Sequence, residues 1–116
     1  MRAEHFEDLL AWQKAHVLTL KVYKLLSNHK DFAFRNQLQR ASVSIMNNIA
    51  EGFERLGDAE KRRFFSIAKG SCGEVRSMLY LARDLTVISN DDFKICYDTA
   101  LEISRMLGSL IKHLEK

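Results

Sequence analysis

Ile49-Ala50-Glu51-Gly52-Phe53-Glu54-Arg55-Leu56-Gly57-Asp58-Ala59-Glu60 is the stretch on which the fold turns. Upstream of it, Leu38, Ser42, Ile45, Ile49 and Leu56 keep the alternating three- and four-residue spacing of a helical core seam, with Phe53 beside it. Downstream, Phe64, Ile67, Ala68, Ser71, Cys72, Val75, Met78, Ala82 and Leu85 trace a second seam. Between them Gly57 reads as a helix stop and Asp58 as the cap of the next helix. A turn this short makes the two helices antiparallel neighbours.

Two further helical patterns flank this pair. Helix one covers about 7–28, with Glu7 and Asp8 in its first turn, at the positive end of the helix dipole. Its apolar residues form two stripes, one of Leu9, Trp12, Leu20 and Tyr23 and one of Ala11, Ala15, Leu18, Val22 and Leu25. Only Lys14, Lys21, Lys24 and Asn28 make a polar strip, so the apolar arc is wider than one core needs and predicts a second packing partner. Helix two covers 33–56, with Asp31 and Asn36 both able to cap its start, and helix three covers 59–85. Gly70 and Gly73 inside helix three each cost about 1 kcal/mol against alanine, which predicts a neighbouring helix close to Gly70-Ser71-Cys72-Gly73. Ser89-Asn90-Asp91-Asp92 has the form of a capping box, followed over 90–114 by Phe93, Cys96, Tyr97, Ala100, Ile103, Leu107, Leu110 and Leu114. The expected architecture is all-α: one up-down-up-down antiparallel four-helix bundle over 1–116, assembling as a homo-oligomer.

Composition narrows the alternatives. The chain has 116 residues with 47% hydrophobic and 28% charged, five glycines and no proline, a poor supply of turn residues for a β-sandwich or barrel. Two cysteines cannot build a disulfide framework or a four-cysteine zinc site. No run approaches the roughly 20 apolar residues of a membrane span. The start, Met1-Arg2-Ala3-Glu4-His5, lacks the apolar core of a signal peptide, so a cytoplasmic protein with reduced thiols is expected, with no membrane partner.

The string Gln37-Leu38-Gln39-Arg40-Ala41-Ser42-Val43-Ser44-Ile45-Met46-Asn47-Asn48-Ile49-Ala50-Glu51-Gly52-Phe53 resembles the small bacterial four-helix bundle proteins known as 23S rRNA intervening-sequence proteins. Phe6-Glu7-Asp8-Leu9 with Trp12-Gln13 is similar to that family's opening, and Tyr23 falls where its first helix carries a tyrosine. Phe65-Ser66-Ile67-Ala68-Lys69-Gly70-Ser71 with Glu74 is similar to its third-helix motif. Met46 stands where many members have proline, so no kink is expected in helix two. The resemblance implies a ring-like homopentamer, as in the accessory proteins of diversity-generating retroelements, relatives that bind nucleic acid and a reverse transcriptase.

Several residues invite a chemical reading. Arg40, Ser44, Asn48 and Glu51 are spaced four, four and three apart, one helical face, with Glu74 opposite on helix three. Paired carboxylates at Glu51 and Glu74 would suit a metal or a shared proton, but a dimetal bundle wants Glu-x-x-His and none occurs. A buried hydrogen-bond network that fixes helix register is the expected role. His5, His16, His29 and His113 have no second histidine at helical spacing, so no metal site is expected. His16, four residues after Trp12, reads as a bundle or interface residue. Cys72 and Cys96 lie on apolar faces and read as buried small hydrophobes. No phosphate loop, serine elbow or zinc spacing is present, so neither a catalytic residue nor a cofactor is expected.

Charge is the remaining signal. The chain is +3 overall, and segment 58–85 holds +2 of it, against +1 for each of 1–28 and 29–57 and −1 for 86–116. Arg62, Lys69, Arg76 and Arg83 recur every seven residues on helix three, with Phe65 and Tyr80 beside them. Such interleaving of cations and rings suits phosphates and stacked bases. The plainer alternatives are a solvated flank whose stems cover the core edge, or salt bridges across a subunit interface. The expected function is a non-enzymatic homo-oligomeric module that binds RNA or DNA through Arg62, Lys69, Arg76, Tyr80 and Arg83. The competing expectation is an adaptor whose ring engages a protein.

Overall fold

Asp8 decides how the first helix begins. In the computed structural model, which describes residues 3–115, its carboxylate accepts the backbone N–H groups of Glu4 and His5 at 3.2 and 3.1 Å. These bonds close a single 3-10 turn, Phe6–Asp8. Leu9 is then extended (φ −74°, ψ 125°), and α1 runs Leu10–Leu25. The expected helix over 7–28 is thus shorter, and Glu7 and Asp8 belong to a separate turn. A side chain that bonds the backbone upstream of it offers an alternative to helix continuation. Met1, Arg2 and Lys116, and with them the ends of the expected 1–116 domain, lie outside the described residues.

Asp31 caps α2 (Phe32–Glu54) by accepting the Phe34 N–H at 3.1 Å, and Asn36 lies inside the helix. The helix stops at Glu54, earlier than expected, because Arg55 turns extended while its guanidinium reaches back to Glu51 at 2.8 Å. Leu56, expected in the core seam, is therefore in the turn and 99% exposed. Gly57 has φ −93°, so it serves as the N-cap position of α3 (Asp58–Asp84) and not as a left-handed helix stop. The α3–α4 turn uses Thr86 for that purpose, at φ 58°, with the Val87 N–H bonded back to the Ala82 carbonyl at 2.8 Å. Ser89 caps α4 (Asn90–Leu114) by accepting the Asp92 N–H at 3.0 Å. The Asp92 carboxylate pairs with Lys21 at 3.1 Å, so the box closes on one side only.

Each helix lies beside two neighbours: α1 and α3 both pack against α2 and α4. Contacts run in opposite order along neighbouring helices: Lys14 and Lys21 of α1 meet Glu102 and then Asp92 of α4, and Arg62 at the start of α3 meets Leu114 at the end of α4, so these neighbours are antiparallel. The result is an all-α four-helix bundle, 44 Å long and 22 by 20 Å across. Leu18, Leu38, Ile45, Ile49, Leu79, Ile103 and Leu107 are fully buried, each contributing about 1.5–3 kcal/mol through burial.

Gly52 sets the register of α3 against α2. A Cβ there would come within 2.8 Å of the Phe65 ring, so the missing side chain is the hole that this ring fills. Phe65 is 4% exposed in consequence, whereas Ile67 and Leu85, expected in the core, face outward. The close helix approach expected over Gly70 and Gly73 is absent: a Cβ at Gly70 would meet open space, and one at Gly73 only the Arg76 side chain. No helix among the described residues is long and apolar enough to cross a membrane.

Candidate nucleic-acid interface

Arg62, Lys69, Arg76 and Arg83 step along α3 at intervals of about 10.5 Å, seven residues of rise. Because α4 runs antiparallel beside them, each cation meets a different level of α4. Arg62 Nη1 donates to the Leu114 carbonyl at 2.6 Å, capping the negative end of α4. The Lys69 stem passes Gly108, with its Cε 3.5 Å from where a Cβ would stand. Arg76 acts on Tyr97, where with Tyr80 it holds the phenol pKa below its ordinary value. The Arg83 guanidinium sits over the rings of Tyr80 and Phe93, 5.1 and 4.6 Å from their centroids, and its Nε donates to Asp84 at 3.0 Å. The stripe therefore lines a seam between two helices. Lys69 is exposed, while Arg62, Arg76 and Arg83 are half-buried.

Three rings gather at the upper part of this seam. Tyr80, Phe93 and Tyr97 have centroids 5.1–5.4 Å apart, in tilted, edge-on and stacked pairs. Tyr80 is 43% exposed, so it remains the open ring that the sequence placed beside the stripe. Phe65, given the same role there, is buried on Gly52 and contributes nothing to the surface. Phe93 and Tyr97, read as core of α4, are half-buried at the seam instead. Their four-residue spacing puts them on one helical face, a signal that was readable without knowing what they face. Hydrogen bonding between the hydroxyls of Tyr97 and Tyr80 lowers the pKa of Tyr97 and raises that of Tyr80, and the Arg76 guanidinium adds to the lowering at Tyr97. Arg76 Nε is buried with no hydrogen-bond partner.

The polar residues of α2 divide into two groups. Ser44 and Ser71 share a hydrogen bond of 2.9 Å between their hydroxyls, and the Asn48 amide donates to the Ser44 carbonyl and hydroxyl at 2.9 and 3.0 Å. This is a small, half-buried α2–α3 clamp. Glu51 points outward to Arg55, and Arg40 and Glu74 are exposed without a hydrogen bond or ion pair among the described residues. The expected five-residue buried network is thus a three-residue clamp of Ser44, Asn48 and Ser71, because the Glu51 carboxylate is drawn out to the Arg55 guanidinium at 2.8 Å. Arg40 and Glu74 instead line an open cleft of about 380 Å³ with Ser44, Asn36 and Gln37.

On the opposite side of α4, Lys14 and Lys21 of α1 pair with Glu102 and Asp92, each at 3.1 Å. Leu10, Val17, Leu20 and Tyr23 of α1 are exposed, as the wide apolar arc implied, and His16 stacks on Trp12 at 4.9 Å. Cys72 and Cys96 are buried as expected; burial pushes their thiols up from 9.0 to about 12 and about 11. No three His, Cys, Asp or Glu side chains gather at metal-binding distance among the described residues.

Comparison with known proteins agrees with this architecture. A solved structure of a protein of unknown function from the S23 ribosomal protein family of Bacteroides thetaiotaomicron VPI-5482 superposes with a TM-score of 0.83 at 25% identity, covering 89% of this chain and 99% of that one. None of the curated proteins matches the chain. The sequence profile of the 23S rRNA-intervening sequence proteins matches residues 7–109. The same segment holds the four-helix core and the cation-aromatic seam, and the chain belongs to the 23S rRNA-intervening sequence protein family.

Proposed function

We propose that this protein is a non-enzymatic, homo-oligomeric bundle that binds RNA or DNA along the α3–α4 seam in the cytoplasm. The observation that supports this reading is the imbalance of charge pairing around α4. The α1 lysines Lys14 and Lys21 have acidic partners, whereas Lys69 and Arg76 have none among the described residues. Cations held in line and left without acids suit a polyanion, and affinity would come mainly from phosphate contacts and counterion release. Self-association draws support from the exposed Leu10, Val17, Leu20 and Tyr23, a spread of apolar surface that a soluble monomer rarely leaves open. A ring, five-fold as the family resemblance implies, repeats the seam and raises its effective concentration along one strand. A reverse transcriptase is the protein partner that the resemblance implies.

Fluorescence anisotropy with labelled RNA and DNA across a salt series tests the binding. The expected result is binding at low salt that weakens steeply with added salt, by a log–log slope of about 0.7–0.9 per phosphate contact. No binding at low salt by the folded protein replaces this reading with that of a protein-binding adaptor. Light scattering coupled to size exclusion tests assembly, where a multiple of 13.4 kDa is expected and a monomer at micromolar concentration contradicts it.

A further inference from the structure

We infer that the α3–α4 seam takes single-stranded rather than duplex nucleic acid, with an unpaired base stacked on the Tyr80–Phe93–Tyr97 cluster and flanking phosphates held by Lys69, Arg76 and Arg83. The inference rests on the nucleic-acid reading above and adds to it the strandedness of the ligand and the two α4 rings.

The rings are the first ground. Three aromatic centroids lie within 5.4 Å of one another at the surface, and Tyr80 is nearly half exposed. A bundle core needs its rings buried; Tyr80, with nearly half its surface open among cations, offers aromatic surface to a base. Only an unpaired base can use it, because in a duplex each base face is covered by its neighbours. Arg83 extends the platform, since a guanidinium plane lying over Tyr80 and Phe93 also stacks bases. Its Nε is engaged by Asp84, but its two Nη groups have no hydrogen bond among the described residues.

Arg76 is the second ground. Its Nε is buried and unpartnered, a costly arrangement in the free chain, so stability of the bundle does not account for an arginine there. It acts on the Tyr97 hydroxyl, and no carboxylate is paired to it among the described residues. Lys69, one heptad earlier and exposed, is likewise free of an acidic partner among the described residues. The arrangement is a stacking platform followed by two uncompensated cations in line, the parts of a site for a flexible single strand.

Anisotropy on the intact protein with labelled oligouridine, oligothymidine and a duplex of the same length, at one salt concentration, tests the inference. The single strands should bind roughly tenfold or more tightly than the duplex, the effect of one or two stacked bases. Tyr80→Leu should lose most of that preference, while Tyr80→Phe, which keeps the ring, should retain it; circular dichroism confirms that both variants are folded. Equal affinity of the parent for single strands and duplex overturns the inference and leaves the nucleic-acid reading standing. Full preference retained in Tyr80→Leu overturns the stacking platform. Failure of the parent to bind any of the three at low salt removes both.

Discussion

Helix α4 has two flanks, and they are built on opposite principles. Along the α1 flank, Lys14 and Lys21 reach Glu102 and Asp92, so charge is cancelled across the seam. Along the α3 flank, Lys69 passes Gly108 and Arg83 sits over aromatic rings, with Asp84 as the one acid in hydrogen-bonded contact among the described residues. Both flanks cover the same core and both present long cationic stems. The difference is in what neutralises them: protein carboxylates on one side, and at Lys69 and Arg76 on the other no carboxylate among the described residues. Net charge conceals this, because +3 spread over the chain does not say which cations are already paired. The flank with unpaired cations is the one able to gain from an external anion.

Substituting the two flanks separately gives the largest expected effect. Lys69→Gln, Arg76→Gln and Arg83→Gln together should weaken nucleic-acid binding by at least tenfold near physiological salt and flatten the log–log salt slope by about 2, three contacts at about 0.7 each. Lys14→Gln with Lys21→Gln should change binding by less than about threefold, the scale of weak surface charge effects. Titration by anisotropy checks both; equal losses from the two flanks would erase the distinction.

The thiols beneath the flanks give the next effect. Cys72 lies under Arg76 and Lys69, and Cys96 near Lys21 and Asp92. Burial raises both thiol pKa values, which are 9.0 ordinarily, to about 12 and about 11. The sign is set by proton binding: between those limits the unfolded thiol has ionised and the folded one has not, so the unfolded state binds fewer protons and stability falls as pH rises. Melting temperature should be insensitive to these thiols below pH 9 and drop between pH 9 and about 12, with Cys96 lost first. Cys96→Ala and Cys72→Ala should each shallow the decline, measured by circular dichroism. Both thiols should also resist a thiol reagent at pH 8 in the folded protein.

Smaller effects sharpen the contrast. Arg76→Met removes an unpartnered buried N–H, whose cost is about 1–3 kcal/mol, so the variant should melt at or above the parent temperature. Lys14→Met removes a half-exposed ion pair and should lower stability by less than about 1 kcal/mol. A strongly destabilised Arg76→Met would make that arginine a structural residue and weaken the case for the α3 flank.

The four helices were legible because their apolar periodicity is local, and so were the Asp31 and Ser89 caps, which act within three residues. Features that depend on a distant partner were not. Phe65 and Ile67 lie about 200° apart around α3, so only one of them can turn inward, and the choice is settled by the hole at Gly52, thirteen residues upstream of Phe65. Gly70 and Gly73 suggested close packing, yet the glycine that receives a ring is the one in α2. Glu7 and Asp8 read as a helix start because acidic residues suit that end, but Asp8 bonds the backbone before it. The cation stripe was visible as a heptad, and its aromatic partners were not, since Phe93 and Tyr97 come from the next helix and meet Arg83 and Arg76 only through the antiparallel register.

Photo-crosslinking shows which flank of α4 holds the strand. A short 4-thiouridine RNA is irradiated on the intact protein, and the attached peptides are identified by mass spectrometry. Crosslinks are expected on peptides carrying Tyr80, Phe93 and Tyr97, diminished in the Lys69, Arg76 and Arg83 triple variant. Crosslinks concentrated on α1, around Lys14 and Lys21, would contradict it, because the flank where those charges are already paired would then be the one that holds the strand.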